Sequence, residues 1–123
     1  MTRIRIRAGK VSLEADLNDS PTAQKVAAAL PITGRASLWG EEIYFSIEVE
    51  DDEAADAREE LAVGEIAYWA PGTAFCVFWG KTPASTGSEP RAASPVNVLG
   101  KIDGDATLFA AIKGGEKVVI EKV

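Results

Sequence analysis

Glu65-Ile-Ala-Tyr-Trp-Ala-Pro-Gly-Thr-Ala-Phe-Cys-Val-Phe-Trp-Gly-Lys-Thr82 decides how the chain is read. Two apolar runs flank Pro71-Gly72, a dipeptide that favours a turn, so the stretch predicts two paired strands, 65–69 and 74–79. Alternation then puts Phe75, Val77 and Trp79 on one face and Ala74, Cys76 and Phe78 on the other. Aromatic side chains supply the largest buried areas in a small domain. With Trp39, Tyr44 and Phe45, this stretch holds every aromatic residue of the chain except Phe109, and the core is expected here.

Upstream, residues 35–39 and 42–49 read as a second strand pair turning at Gly40-Glu41. Ile43, Phe45, Ile47 and Val49 alternate with Tyr44, Ser46 and Glu48, so Trp39, Tyr44 and Ser46 point away from the aliphatic face. Residues 3–7 and 10–16 form a further alternating pair around Ala8-Gly9, with Arg3, Arg5 and Arg7 on the wet face. Those arginines are either an anion patch or, as the cross-strand neighbours Glu14 and Asp16 favour, a solvated ionic face. Asn18-Asp19-Ser20-Pro21 is a helix start, and Ala23, Val26, Ala27 and Leu30 follow at helical spacing until Pro31. Downstream, 82–94 reads as a loop, 96–102 as a strand, 105–112 as a short helix with an acidic cap and 118–123 as the last strand.

These segments predict a mainly β fold in one domain, 1–123: a closed eight-stranded barrel capped by two short α-helices. Closure would remove the edges that an open sheet exposes to aggregation. With 123 residues there is room for a single core.

Composition excludes several functions. Thirteen Lys and Arg against 19 Asp and Glu leave a net charge of −6, which repels nucleic acid and anionic membranes alike. There is no histidine, so Ser-His-Asp and Cys-His catalysis are ruled out along with the commonest metal ligand. Seven carboxylates from Glu50 to Glu60 lack the spacing of a Ca²⁺ loop, and the stretch is expected to be a solvated loop or helical turn. Gly80-Lys81-Thr82 ends like a phosphate loop, but Phe75 stands where the partner glycine belongs and Pro83 where the helix should begin. No metal or cofactor is expected. The single cysteine, Cys76, and the charged amino terminus point to a cytoplasmic protein.

Four strings carry a family resemblance: 39–45 (Trp-Gly-Glu-Glu-Ile-Tyr-Phe), 68–72 (Tyr-Trp-Ala-Pro-Gly), 75–83 (Phe-Cys-Val-Phe-Trp-Gly-Lys-Thr-Pro) and 95–102 (Pro-Val-Asn-Val-Leu-Gly-Lys-Ile). In them the chain resembles the cyclophilin-like domain of small, mostly uncharacterised microbial proteins, distant relatives of the cyclophilin peptidyl-prolyl isomerases. The resemblance implies a barrel with a helix at each end and a ligand groove on its outer wall. It does not carry over the isomerase residues. Trp39 falls where cyclophilins hold an arginine, Tyr44-Phe45-Ser46 where they hold a glutamine, Cys76 at the pocket phenylalanine, and Val96 or Asn97 near the pocket histidine.

The expected groove therefore exposes Trp39, Tyr44, Ser46, Cys76 and Phe78, with Arg91 and Asn97 at its rim. Either these form a pocket for a peptide or small-molecule ligand, or the 82–94 loop covers them and they make a second, minor core. The first reading gives a binding protein without efficient prolyl isomerisation; the alternative is a peptidyl-prolyl isomerase using Arg91 in place of the missing arginine. A third role is assembly, with Trp39 and Tyr44 at the interface of a homo-oligomer.

Overall fold

The computed structural model describes all 123 residues, Met1–Val123, and is mainly β. The amino-terminal hairpin pairs β1 (Thr2–Ala8) with β2 (Val11–Leu17), and Ile4, Ile6, Ala15 and Leu17 from its inner face are buried. On the wet face Arg3 binds Glu14, Asp16 and Asp103, while Arg7 binds Glu121, so the arginines belong to a solvated ionic lattice. Helix α1 (Pro21–Ala29) begins as the sequence indicates: Ser20 Oγ accepts from Ala23 N–H at 3.3 Å, and Pro21 occupies the first turn. Thr22, Ala23 and Val26 form its buried face.

Next come β3 (Ile32–Arg35), β4 (Ser37–Leu38) and β5 (Glu42–Ser46). They are followed by β6 (Arg58–Glu60), β7 (Glu65–Trp69), β8 (Ala74–Phe78), β9 (Arg91–Asp103) and β10 (Lys117–Lys122). The strand order is β3-β10-β1-β2-β9-β7-β8-β5-β4, with β6 paired to β9 off that path. There are ten strands rather than eight, because 35–39 divides into β3 and β4 around Ala36 and because part of the acidic stretch becomes β6.

The mainly β class is as expected, and the sheet is not closed by hydrogen bonds. Its two terminal strands, β3 and β4, are neighbours in the chain joined by Ala36, whose N–H and C=O bond Glu116 and Gly115 instead of another strand. Where β3 meets β5, Gly34 leaves room for the Phe45 ring: a Cβ there would lie 2.4 Å from Phe45 Cδ2. Side-chain packing forms that seam. The expected second short helix is present with its acidic cap, but it is 3₁₀ rather than α. Residues Ala106–Ala111 form a 3₁₀ turn, capped by the Asp105 carboxylate accepting from Thr107 N–H at 3.1 Å, and Pro71-Gly72 lies in another, Ala70–Gly72.

Two apolar clusters result. The main core holds Ile43, Phe45, Phe75, Val77, Trp79 and Phe109 with the inner faces of the other strands. The smaller cluster lies on the outer face of β5, β7 and β8 and contains Leu61, Ala67, Ala74, Cys76, Phe78, Ala92 and Val96. It exists because β9 is long enough to do two jobs. Its carboxy-terminal half pairs with β7 and β2, while residues from Arg91 to Val96 lie with β6 over the outer face. The strand bends at a bulge opposite Ile66 and Ala67, beside Gly100, where a Cβ would lie 1.9 Å from the Asp16 carbonyl oxygen. Covered on both faces, every residue of β8 is buried. No helix is long and apolar enough to cross a membrane.

Candidate functional site

Between the two layers of the outer face, a cavity of about 190 Å³ stays open. Pairing geometry assembles it. In the β5–β8 ladder Glu42 stands opposite Phe78 and Tyr44 opposite Cys76, and in the β7–β8 ladder Ala67 stands opposite Cys76. Alternation therefore sends Glu42, Tyr44, Cys76, Phe78 and Trp69 to the same side. Trp39 enters from the turn after β4, and Ala92, Ala93 and Val96 close the opposite wall from β9. Phe78, Cys76 and Glu42 are buried at the floor; Trp39, Tyr44 and Trp69 are half-buried walls. Trp69 is held by donating from Nε1 to Ser94 Oγ at 2.7 Å.

Of the nine residues lining the cavity, eight are hydrophobic and the ninth is Glu42. Its side chain takes part in no ion pair, and the residue is only 5% exposed. Burial raises its carboxyl to about 7, opposed in part by the neighbouring Cys76 thiol, which itself donates to the Ala74 carbonyl at 3.8 Å. The same pair pushes Cys76 well above the ordinary thiol range, first through burial and then through the carboxylate charge. A thiol in that setting stays protonated and is a poor nucleophile.

The structure thus gathers Trp39, Tyr44, Cys76 and Phe78 of the sequence candidates into one cavity. It places the other three elsewhere. Ser46 is exposed beyond the cavity end of β5 and donates to the Gly72 carbonyl at 3.1 Å. Asn97 is 4% exposed and is consumed in structure: its Oδ1 accepts from Ala54 N–H at 2.7 Å, and its Nδ2 donates to Thr22 Oγ1 and the Asp52 carbonyl. Arg91 meets Glu89 at 2.9 Å, Glu60 at 3.1 Å and Glu59 at 3.8 Å, outside the cavity lining.

That network settles how the 82–94 segment lies. Glu89, lowered to about 2 by the Thr86 N–H first and Arg91 second, draws residues 86–91 onto themselves, and the Thr82 and Ser85 hydroxyls bind the Arg91 and Glu89 carbonyls. Only Ala92 and Ala93 of the segment line the cavity, so it narrows the groove without filling it. The outer face therefore carries a second, minor core with a cavity left open beside it.

Sequence reasoning missed Glu42, Trp69, Ala92, Ala93 and Val96 as lining residues. Glu42 shares its parity with Tyr44 and Ser46, a signal that was available, whereas Ala92 and Ala93 carry no chemical signal at all.

Comparison with known proteins agrees with this architecture. The cyclophilin-like family matches residues 2–121. The solution structure of a hypothetical protein from Archaeoglobus fulgidus is similar at 38% identity and a TM-score of 0.84, over 99% of this chain and 95% of that one. No curated protein matches. With the family match running nearly end to end and the fold shared, the chain belongs to the cyclophilin-like family.

Proposed function

We propose that the outer-face cavity binds a small apolar ligand, or one apolar side chain of an extended peptide, without efficient prolyl isomerisation. The observation that carries this reading is an open cavity of about 190 Å³ whose lining is hydrophobic except at Glu42. Its volume sets the size of the guest. Sites for drug-sized molecules run from roughly 300 Å³ upward, while an engineered cavity of about 150 Å³ takes benzene, so one ring or a short branched group fits here.

Weak affinity follows from size. A guest of about seven non-hydrogen atoms contributing roughly 0.6 kcal/mol each reaches about 4 kcal/mol, a Kd near 1 mM. Isomerisation is a different matter. Rotating a prolyl peptide bond faces a barrier of about 18–20 kcal/mol, and lowering it needs donors aimed at the carbonyl oxygen. No arginine, lysine, glutamine or asparagine lines this cavity.

Saturation-transfer NMR with benzyl alcohol and with N-acetyl-alanyl-proline methylamide, at millimolar concentration, tests the reading. Transfer to at least one probe is expected, lost in Trp39→Ala, together with no isomerisation rate above the uncatalysed one. Absence of transfer, or transfer indifferent to Trp39→Ala, overturns the binding claim. A clear catalytic rate overturns the other half.

A further inference from the structure

Resting on the reading that this cavity binds a guest, we infer that the guest is an organic cation with an apolar shell, of the alkylated-ammonium class, held between the aromatic walls and the Glu42 carboxylate. Two features point there independently of each other. The lining is aromatic, with Trp39, Tyr44 and Trp69 as walls and Phe78 at the floor. Aromatic faces attract cations through their quadrupole, and cages of such rings recognise quaternary ammonium groups. The floor carries a carboxyl group on a residue 95% buried by its 5% exposure, and neither lysine nor arginine reaches it.

A buried carboxyl without a cation is costly to hold and is not explained by the fold. Glu42 caps no helix, and its strand needs only its backbone for pairing with Phe78. A cationic guest supplies the missing countercharge. A plain metal ion does not suit the site, since one carboxylate among hydrophobic walls offers too few oxygen ligands. An ammonium wrapped in alkyl groups suits both parts, because its hydrogen-bonding demand is small and its surface is apolar. The chain's net charge of −6 favours approach of such a guest.

The groups facing Glu42 are few. Cys76 comes from β8 and Tyr44 from the carboxyl's own strand; β7 contributes Trp69, β9 contributes Ala92, Ala93 and Val96, and the turn after β4 contributes Trp39. The adjacent Glu41 carboxylate is directed at Gly80. Glu42 is therefore the group whose charge decides cation binding.

The test compares choline with its uncharged isostere 3,3-dimethyl-1-butanol, by protein-observed NMR titration of the full chain at pH 6 and pH 8. Choline, which keeps its charge throughout, is expected to bind about tenfold more tightly at pH 8, the ratio of ionised Glu42 at the two values when its pKa is about 7. The alcohol is expected to bind more weakly than choline at pH 8 and without pH dependence. In Glu42→Gln, which keeps the size and the neutral form the fold already accepts, the pH dependence should vanish and the preference for choline should shrink to what the aromatic rings alone supply. Equal binding of the two probes overturns the cation inference while leaving the cavity reading intact. Tighter choline binding at pH 6 overturns it as well. If neither probe binds, both the inference and the cavity reading fall.

Discussion

The two faces of the β5–β8 pair are built from alternate residues of the same strands, yet they end in different environments. On the inner face Ile43, Phe45, Phe75 and Val77 interlock, with the Phe45 and Phe75 rings 5.7 Å apart. On the outer face Glu42, Tyr44, Cys76 and Phe78 meet a thin cover of alanine and valine that leaves a cavity with one carboxyl in it. Backbone pairing is common to both, so the difference comes from what covers each face. A thick layer of large side chains fills the inner space; the single layer from β6 and β9 does not fill the outer one.

The strongest way to break this comparison is to truncate matched aromatics. Phe75→Ala removes a fully buried ring from the main core and should cost about 3–5 kcal/mol in urea unfolding. Tyr44→Ala, on a half-buried wall, should cost no more than about 1 kcal/mol while abolishing binding in the cavity. Equal losses would mean that the outer face is simply core.

Glu42 sharpens the contrast through pH. Its folded pKa of about 7 lies above the ordinary carboxyl value, so the neutral form is favoured by folding. Stability from this group is fully present below pH ~4.5 and is lost as pH rises through 7, by up to about 3 kcal/mol. Glu42→Gln should remove that decline, and the two proteins' unfolding curves should diverge between pH 5 and 8 with the variant more stable at the upper end. Parallel curves would show that the carboxyl is better solvated than its position indicates.

At the seam, Gly34→Ala drives a methyl toward the buried Phe45 ring and should cost about 1–3 kcal/mol, read from the shift in urea midpoint. Smallest is Arg91→Ala. Its carboxylate partners are partly exposed, so the stability change should stay within about 1 kcal/mol, and titrations of the cavity should be unchanged. A large drop in binding would bring Arg91 back into the site.

How far the sequence discloses this arrangement depends on the kind of signal. Period-two alternation correctly divides Ile43 and Phe45 from Tyr44, and Phe75 and Val77 from Cys76 and Phe78, because a strand's faces follow from its pleat alone. Strands that exist only through tertiary pairing escape it. Residues 32–34 carry no strand signal of their own, yet β3 forms because β10 needs a partner for 117–120. β6 is Arg58-Glu59-Glu60, poor strand formers all exposed, recruited by pairing with β9. Pro95 masks the start of β9 for the same reason. In the site, the aromatic walls are legible from residue type. Glu42 is hidden among the charges of Glu41-Glu42, and neither its burial nor the engagement of Asn97 and Arg91 elsewhere can be read without three-dimensional neighbours.

The most direct measurement of the central claim is a ¹H–¹⁵N NMR titration with choline at pH 8, following the indole N–H signals of Trp39, Trp69 and Trp79 together. Saturable shifts at Trp39 and Trp69, with Trp79 in the main core unmoved, are the result this account predicts. Unmoved Trp39 and Trp69 signals at tens of millimolar, or shifts centred on Trp79, would contradict it.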